Sequence, residues 1–422
     1  VLFRSKDDLA EGDVFVTNHP YEGMMPHASD MGFIAPIFHD EKLIAFAGTI
    51  AHKADIGGTV PGSTYGSATE LYHEGLMIPP IRIHRAGEPV EDVMRLIAAN
   101  TRAPYVVMGD ISGQIGVTRI ARSQIHDMCD RFGADIVTEA MAAMIGSSAK
   151  EFEAALKDVP DGTGEAEGFL DHDGVDITKK VRLHVRITTK DGRVHFDFSG
   201  SDPQTQGPVN LRLATVEACV FFCLLGMIDP NLRYSDGMRD LVSFKFAERS
   251  VLSAEPPRPC SSYMKCCQKV MDITLMALDA ILPGRATANS GGSGGSIIVA
   301  WKGNTRRKHG NQYEIFGSAY GAGDGCDYMV YSLAKLRGRD CGLLCPSHGD
   351  PIGDTAQALR SLEDKFRDYL KHRWGIGTPT HDIAPRAILP HLVQIPGCAN
   401  TWIVVSDSGK ALFVDYGSQS RT

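Results

Sequence analysis

The sequence predicts an α+β protein whose β-rich body carries long helices. Residues 13–85 hold short apolar runs, separated by Gly, Pro and Asn in the manner of strands joined by loops. From 91 to 155 the apolar residues recur at helical spacing instead. Near the middle of the chain, Lys190-Asp191-Gly192-Arg193 separates two alternating runs, which indicates a hairpin with a type I′ turn.

The individual elements follow from these patterns. Strands are predicted at 13–18, 31–38, 43–49 and 76–83, and the hairpin strands at 181–189 and 194–199. The polar, glycine-rich stretch 162–175 is predicted to be a link. Apolar helices are expected at 213–228 and 263–281, and a further strand at 296–301 follows the glycine cluster 291–295.

Composition excludes several classes of protein. A chain of 422 residues exceeds the size of about 250–300 residues at which single cores stop growing, so two domains are expected. The net charge is −8 and the basic residues are scattered, which argues against a nucleic-acid partner. No apolar run spans a membrane and no secretory leader is visible, so the location is predicted to be cytoplasmic. The ten cysteines are widely spread and form no CxxC pair, which favours reduced thiols.

A candidate metal site is formed by His27, Asp30 and His52. His27 and Asp30 lie three residues apart, and His52 follows after two predicted strands whose ends could meet. Two imidazoles and a carboxylate suit Zn²⁺, Mn²⁺ or Fe²⁺ and leave a position open for water. Spacing alone also allows His27 to be a loop residue and His52 a core histidine with its hydrogen bonds satisfied.

A series of motifs resembles the hydantoinase B/oxoprolinase family. The first three are GDVFVTNHPY at 12–21, PHASD at 26–30 and AHKADIGG at 51–58. Later landmarks occur in family order at 74–82, 100–102, 109–115, 196–204, 207–210 and 291–295. The resemblance covers residues 12–327.

This resemblance implies a B-type component that carries a divalent metal on His27, Asp30 and His52. In the family a further aspartate from an N-terminal segment completes the metal ligands, and this sequence begins after that segment. ATP would be used by a separate hydantoinase A-like subunit, which activates the carbonyl of a small cyclic amide or ketone. Asp55 and Glu74 are the carboxylates nearest the ligands in sequence, so each is a candidate catalytic base or ligand-orienting group. Each could equally be a surface or turn residue.

Three functions remain open from the sequence. The first is a component of an ATP-dependent cyclic amidohydrolase of the N-methylhydantoinase, lactamase or 5-oxoprolinase type. The second is a ketone carboxylase component, which would use the same metal with bicarbonate-derived carboxyphosphate. The third is a non-catalytic truncated fragment. The glycine cluster at 291–295 lacks the lysine of a phosphate-binding loop and is interpreted as a tight turn.

The last part of the chain resembles a different family. Segments 343–351 and 400–417 are similar to parts of a metallo-β-lactamase-fold hydrolase, in which His348 would match a late metal-binding histidine. The HxHxDH motif of that fold is absent from the sequence, so no second active site is expected. We predict two domains, 1–327 and 328–422, joined by a chance fusion near Asp327/Tyr328. Both ends of the first domain are expected to be truncated, and few contacts should cross the junction.

Overall fold

The computed structural model describes residues 8–286 in full. Beyond them it describes the strands at 294–302, 313–321, 343–346, 386–389, 392–395, 401–405 and 411–415, and the helical residues 357, 360 and 364. Backbone contacts divide the chain into two compact units, the first made mostly of residues 1–290 and the second mostly of residues beyond 290. In the described part, no helix is both long and apolar enough to cross a membrane.

The first unit begins with a five-stranded antiparallel sheet in the order β3-β2-β1-β4-β5. Its strands are β1 Val14–Thr17, β2 Asp30–His39, β3 Lys42–His52, β4 Ile81–Arg85 and β5 Glu88–Pro89. The predicted strands at 13–18, 31–38 and 43–49 are confirmed. The run at 76–83 forms a strand only from Ile81, because Pro79 and Pro80 have no N–H to donate to a neighbouring strand.

Three helices follow the sheet, as the helical spacing of 91–155 predicts. They are α1 Glu91–Ala99, α2 Pro104–Phe132 and α3 Ala134–Lys157. Pro104 begins α2, where its missing N–H costs nothing, and Gly133 ends it at a φ of 90°. Apolar residues of α2 such as Ile111 and Ile115 share one core with Met31 and Phe33 of β2. This packing covers one face of the sheet.

A second sheet has the order β6-β7-β8-β9, with the last pair parallel. Its strands are β6 Gly162–Leu170, β7 Val181–Lys190, β8 Arg193–Asp197 and β9 Val242–Lys245. The predicted hairpin is confirmed as β7 and β8. Asp191 and Gly192 have φ values of 50° and 68°, the positive values that a type I′ turn requires.

The predicted link at 162–175 is wrong, since residues 162–170 form strand β6. Its glycines allow the close approach of a helix. A Cβ on Gly164 would lie 1.8 Å from the carbonyl oxygen of Ala277, and one on Gly168 would lie 2.9 Å from the Ile273 side chain. The glycines that suggested a link therefore permit close packing.

The predicted apolar helices are confirmed as α4 Leu213–Ile228 and α5 Tyr263–Asp279. Both contribute to the larger of two cores, which also holds the inner faces of β7 and β8. The six cysteines within residues 8–286 are free thiols, as predicted: Cys129, Cys219, Cys223, Cys260, Cys266 and Cys267.

Beyond residue 286 the backbone forms two further sheets. One has the order β11-β10-β12, from β10 Gly294–Lys302, β11 Tyr313–Gly321 and β12 Leu343–Pro346. The other has the order β13-β14-β15-β16, from β13 Arg386–Leu389, β14 Leu392–Ile395, β15 Thr401–Val405 and β16 Ala411–Asp415. The predicted strand at 296–301 falls within β10. The junction near Asp327/Tyr328 and His348 lie outside the described residues, and the metallo-hydrolase-like tail stays a prediction.

Candidate metal centre

The strand pairing of the first sheet brings His27, Asp30 and His52 together. Asp30 is the first residue of β2 and His52 is the last residue of β3, and the two are direct partners across the antiparallel pair. Directly opposed residues project to the same face of a sheet. His27 lies in the turn before β2, where its carbonyl accepts the N–H of Asp30 at 3.2 Å. Residues 25 positions apart in sequence thus become neighbours.

The distances among the three side chains fit a single metal ion. His27 Nε2 lies 3.2 Å from His52 Nδ1 and 3.2 Å from Asp30 Oδ2, while His52 Nδ1 lies 3.4 Å from Asp30 Oδ1. Ligands bound at 2.0–2.1 Å to a tetrahedral ion are roughly 3.3–3.4 Å apart. The two distances to Asp30 end on different oxygens, and one ligand atom from each residue lies within 4.8 Å of the other two, so the three groups lie within reach of one ion.

The electrostatics of the cluster also favour a cation. Burial acts to raise the pKa of Asp30, but hydrogen bonds from His27 and His52 oppose it and hold that pKa well below its ordinary value. Asp30 is therefore ionised at neutral pH. Its charged carboxylate and the two neighbouring imidazole nitrogens are a donor set that suits a divalent transition metal.

Exposure differs among the three ligands. His27 and Asp30 are buried, whereas the His52 side chain is 54% exposed. The cluster is thus open to solvent on the side of His52, which leaves room for a water or substrate oxygen beside the protein ligands. His27 Nδ1 is buried and has no hydrogen-bond partner among the described residues.

Tyr263, the first residue of α5, is a member of this site that the sequence patterns did not reveal. Its hydroxyl donates to Asp30 Oδ2 at 3.4 Å, and its ring centroid lies 4.9 Å from that of His27. The contact joins residues 233 positions apart. A tyrosine at the start of a helix carries no sequence signal of a long-range partner, so pattern alone had no means of finding it.

Asp55, predicted as a catalytic group, is fully buried in the loop that follows β3. Its two oxygens accept hydrogen bonds from five donors, among them the backbone N–H groups of Gly57 and Gly62 and the guanidinium of Arg102 at 3.0 Å. This arrangement organises the loop and leaves no oxygen free. Its catalytic role stays a prediction without geometric support.

Glu74, the other predicted catalytic group, is also fully buried and lies outside the three-residue cluster. Its Oε1 accepts the backbone N–H groups of Cys260 and Ser261, each at 2.6 Å. Burial raises the pKa of Glu74 to about 8, although these two hydrogen bonds act to lower it. Its carboxyl group holds the segment that precedes α5, and its catalytic role likewise stays a prediction.

A cavity of about 290 Å³ lies elsewhere in the first unit. It is bounded by the start of β1, the middle of β2 and the helix α2. None of its lining residues belongs to the metal cluster: Gly12, Asp13, Val14, Ala35, Pro36, Gly87, Thr118, Arg119 and Arg122. The cluster therefore does not lie in this cavity.

Comparisons with known proteins identify the family. The family model for hydantoinase B/oxoprolinase matches residues 1–339, which extends past the domain boundary predicted at Asp327. A protein of Pseudomonas sp. (strain NS671), described as the putative B subunit of a D-/L-hydantoinase, is 30% identical over 334 residues, which cover 76% of this chain and 56% of that protein. The chain spans about half the length of the curated relatives that it matches.

Solved structures show the same fold. The crystal structure of the ATP-dependent caprolactamase from Pseudomonas jessenii has a TM-score of 0.67 at 26% identity, over 73% of this chain and 52% of that chain. The nucleotide-free structure of acetone carboxylase also has a TM-score of 0.67, at 15% identity, over 74% of this chain and 43% of that one. At that identity the second likeness shows the fold alone. Together with the match of the family model, these comparisons show that the chain belongs to the hydantoinase B/oxoprolinase family.

Proposed function

We propose that this chain is the metal-carrying B-type component of an ATP-dependent enzyme that hydrolyses a small cyclic amide. The observation that supports this most directly is the cluster of His27, Asp30 and His52, in which one ligand atom from each residue lies within 4.8 Å of the other two. Two imidazoles and an ionised carboxylate would hold Zn²⁺, Mn²⁺ or Fe²⁺.

A divalent ion bound there would supply a Lewis acid for a carbonyl oxygen and a means of lowering the pKa of water. The protein's own part is to fix the ligands. Pairing of β2 with β3 sets the positions of Asp30 and His52, and the turn before β2 sets that of His27. Because the exposed side of His52 is the open side of the cluster, the substrate carbonyl would approach from there.

We further propose that ATP is used by a separate A-type subunit. An unstrained amide resists attack by water, so its carbonyl needs activation before it reaches the site. The sequence contains no GxxxxGK[ST] loop, and the related caprolactamase is described as ATP-dependent. The related proteins from Pseudomonas are named as subunits, which supports a partner chain.

The order of identity among the named relatives supports hydrolysis as the first candidate. The hydantoinase component and the caprolactamase beta subunit share 30% and 28% identity with the chain, and the delta subunit of an acetophenone carboxylase shares 25%. The same cluster of ligands would serve either reaction. The carboxylase is therefore the second candidate.

Metal analysis of the purified chain tests the proposal. We expect one divalent ion per chain, lost in His27→Ala and retained in a matched control, His195→Ala, whose ring bonds Ser243 in an exposed position of the second sheet. With an A-type subunit added, ATP-dependent opening of a lactam or hydantoin ring would support the hydrolase. Activity on a ketone that requires bicarbonate would support the carboxylase instead. Absence of stoichiometric metal in the unaltered chain would refute the proposal.

A further inference from the structure

We propose that Tyr263 is a positioning residue for the metal ligands Asp30 and His27, and that Glu74 holds in place the helix start that carries Tyr263. The inference rests on the proposed metal site and adds two residues to it. It gives Glu74 a role other than catalysis.

The contacts of Tyr263 orient Asp30. An ionised carboxylate has no proton to give, so the hydroxyl of Tyr263 donates to Asp30 Oδ2 at 3.4 Å. The other oxygen, Oδ1, is the one nearest His52 Nδ1. The two oxygens of Asp30 are thus distinguished by their partners, which limits rotation of the carboxylate. Residues that hydrogen-bond to metal ligands in this way fix the orientation of those ligands.

The ring of Tyr263 restricts the orientation of a second ligand, His27. It lies against the imidazole of His27, with 4.9 Å between centroids and an angle of 43° between the planes. A second neighbour of that imidazole is His52, at a centroid separation of 5.0 Å. His27 is therefore in contact with two rings, and the aromatic ring of Tyr263 acts on it separately from the hydroxyl that acts on Asp30.

The segment that leads into α5 is fixed by groups from the first part of the chain. The N–H of Leu71 donates to the carbonyl of Pro257 at 2.7 Å, and the hydroxyl of Tyr21 donates to the carbonyl of Arg258 at 2.5 Å. Glu74 Oε1 then accepts two backbone N–H groups immediately before the helix. Because Tyr263 begins the helix, these contacts set where its side chain enters the metal site.

Glu74 and Pro208 accept hydrogen bonds from the residues directly before Tyr263, and the carbonyl oxygen of Pro208 accepts the N–H of Ser262 at 2.9 Å. The hydrogen bonds of Glu74 come from Cys260 and Ser261, three and two residues before Tyr263. The carboxyl is fully buried and forms no ion pair with the described residues. The two amide groups before α5 satisfy its Oε1, whereas Oε2 is buried and has no hydrogen-bond partner among the described residues.

The affinity of the chain for Zn²⁺ tests the role of Tyr263. We expect Tyr263→Phe, which removes the hydroxyl and keeps the ring, to weaken Zn²⁺ binding about 10- to 100-fold in competition with a chromogenic chelator. Its thermal unfolding without metal should match that of the unaltered chain. Tyr234→Phe is the matched control, because that exposed tyrosine contacts Phe221 with its ring. It should leave the affinity unchanged.

A pair of variants tests Glu74. Glu74→Asp keeps the carboxyl group but withdraws the oxygen from Cys260 and Ser261 by one methylene, so it should weaken Zn²⁺ binding. Glu74→Gln replaces the carboxyl with an amide that keeps an oxygen at the same reach, so its affinity should match that of the unaltered chain. Weaker Zn²⁺ binding in Glu74→Asp than in Glu74→Gln would show that the position of the acceptor oxygen at residue 74 fixes the start of α5.

The outcomes separate the two proposals. If the unaltered chain takes up no Zn²⁺, the proposed function fails and this inference fails with it. If the unaltered chain binds Zn²⁺ and Tyr263→Phe binds it equally well, the metal site stands and the positioning role of Tyr263 is overturned. If Glu74→Asp binds Zn²⁺ as tightly as Glu74→Gln, the role of Glu74 is overturned alone.

Discussion

Two buried aspartates that lie close together in the sequence, Asp30 and Asp55, have opposite surroundings. Asp55 accepts hydrogen bonds from five donors and pairs with Arg102, so its charge is used within the protein. Asp30 meets two imidazoles and one hydroxyl beside a half-exposed histidine. The comparison teaches that the partners of a buried carboxylate distinguish a group that organises a loop from one that can bind an ion.

The largest effect on the free energy of unfolding is expected at Asp55, whose two oxygens accept hydrogen bonds from five donors. Asp55→Ala should lower the free energy of unfolding by about 3–5 kcal/mol, because it leaves Arg102 without its carboxylate partner. Urea denaturation measures this. Asp130→Ala, which removes a surface partner of His39, should cost less than about 1 kcal/mol. Equal costs for the two variants would end the distinction drawn between the aspartates.

Another buried carboxyl, that of Glu74, should make the free energy of unfolding depend on pH. Its pKa is about 8 in the folded chain against an ordinary value of 4.5, so the folded state holds its proton more tightly. The free energy of unfolding should therefore fall as pH rises from 4.5 to 8, with each unit of pKa difference worth about 1.4 kcal/mol. Glu74→Gln should remove that slope. An unchanged slope in the variant would assign the dependence to other groups.

A smaller effect is expected from Arg102→Lys. Arg102 donates to Asp55 and to the carbonyl oxygens of Gly57, Gly58 and Val60, which a single ammonium group cannot all reach. We expect a loss of about 1–2 kcal/mol in urea denaturation. If the lysine variant is as stable as the parent chain, charge alone holds the loop and the geometry of the guanidinium is unimportant.

The smallest effect on the free energy of unfolding is expected for His52→Ala, although this variant should lose its bound metal completely. His52→Ala should change the free energy of unfolding of the metal-free chain by less than about 0.5 kcal/mol, since the side chain is largely exposed. Metal content should fall to background while circular dichroism retains the signal of α1 to α3. Loss of helical signal together with metal would instead identify His52 as a residue of the core.

Local patterns predicted much of the fold. Short apolar runs separated by Gly, Pro and Asn predicted β1 to β3. The turn residues Lys190, Asp191, Gly192 and Arg193 predicted the β7–β8 hairpin. Prediction failed at β6, because Gly164 and Gly168 serve the approach of a helix more than 100 residues later in the chain. Such a contact depends on the assembled fold, so the amino-acid composition of residues 162–175 could not predict it.

The candidate site shows the same limit. His27, Asp30 and His52 belong to neighbouring elements, so motif and spacing could group them. Tyr263 comes from a distant helix and was missed, while Asp55 was selected because of its short distance in sequence from His52. The chain turns after β3, so the short distance in sequence between Asp55 and His52 does not predict how the two side chains are placed or oriented in space.

The separation of the site's members in sequence bears on the order in which it can assemble. The three ligands lie within one β-hairpin and the turn before it, so a chain that has formed only β2 and β3 already holds them together. The contact from Tyr263 closes a loop of 233 residues and must wait until α5 has packed. Because local contacts form faster than distant ones, the ligands can gather early in folding, and the residue that fixes their orientation arrives last.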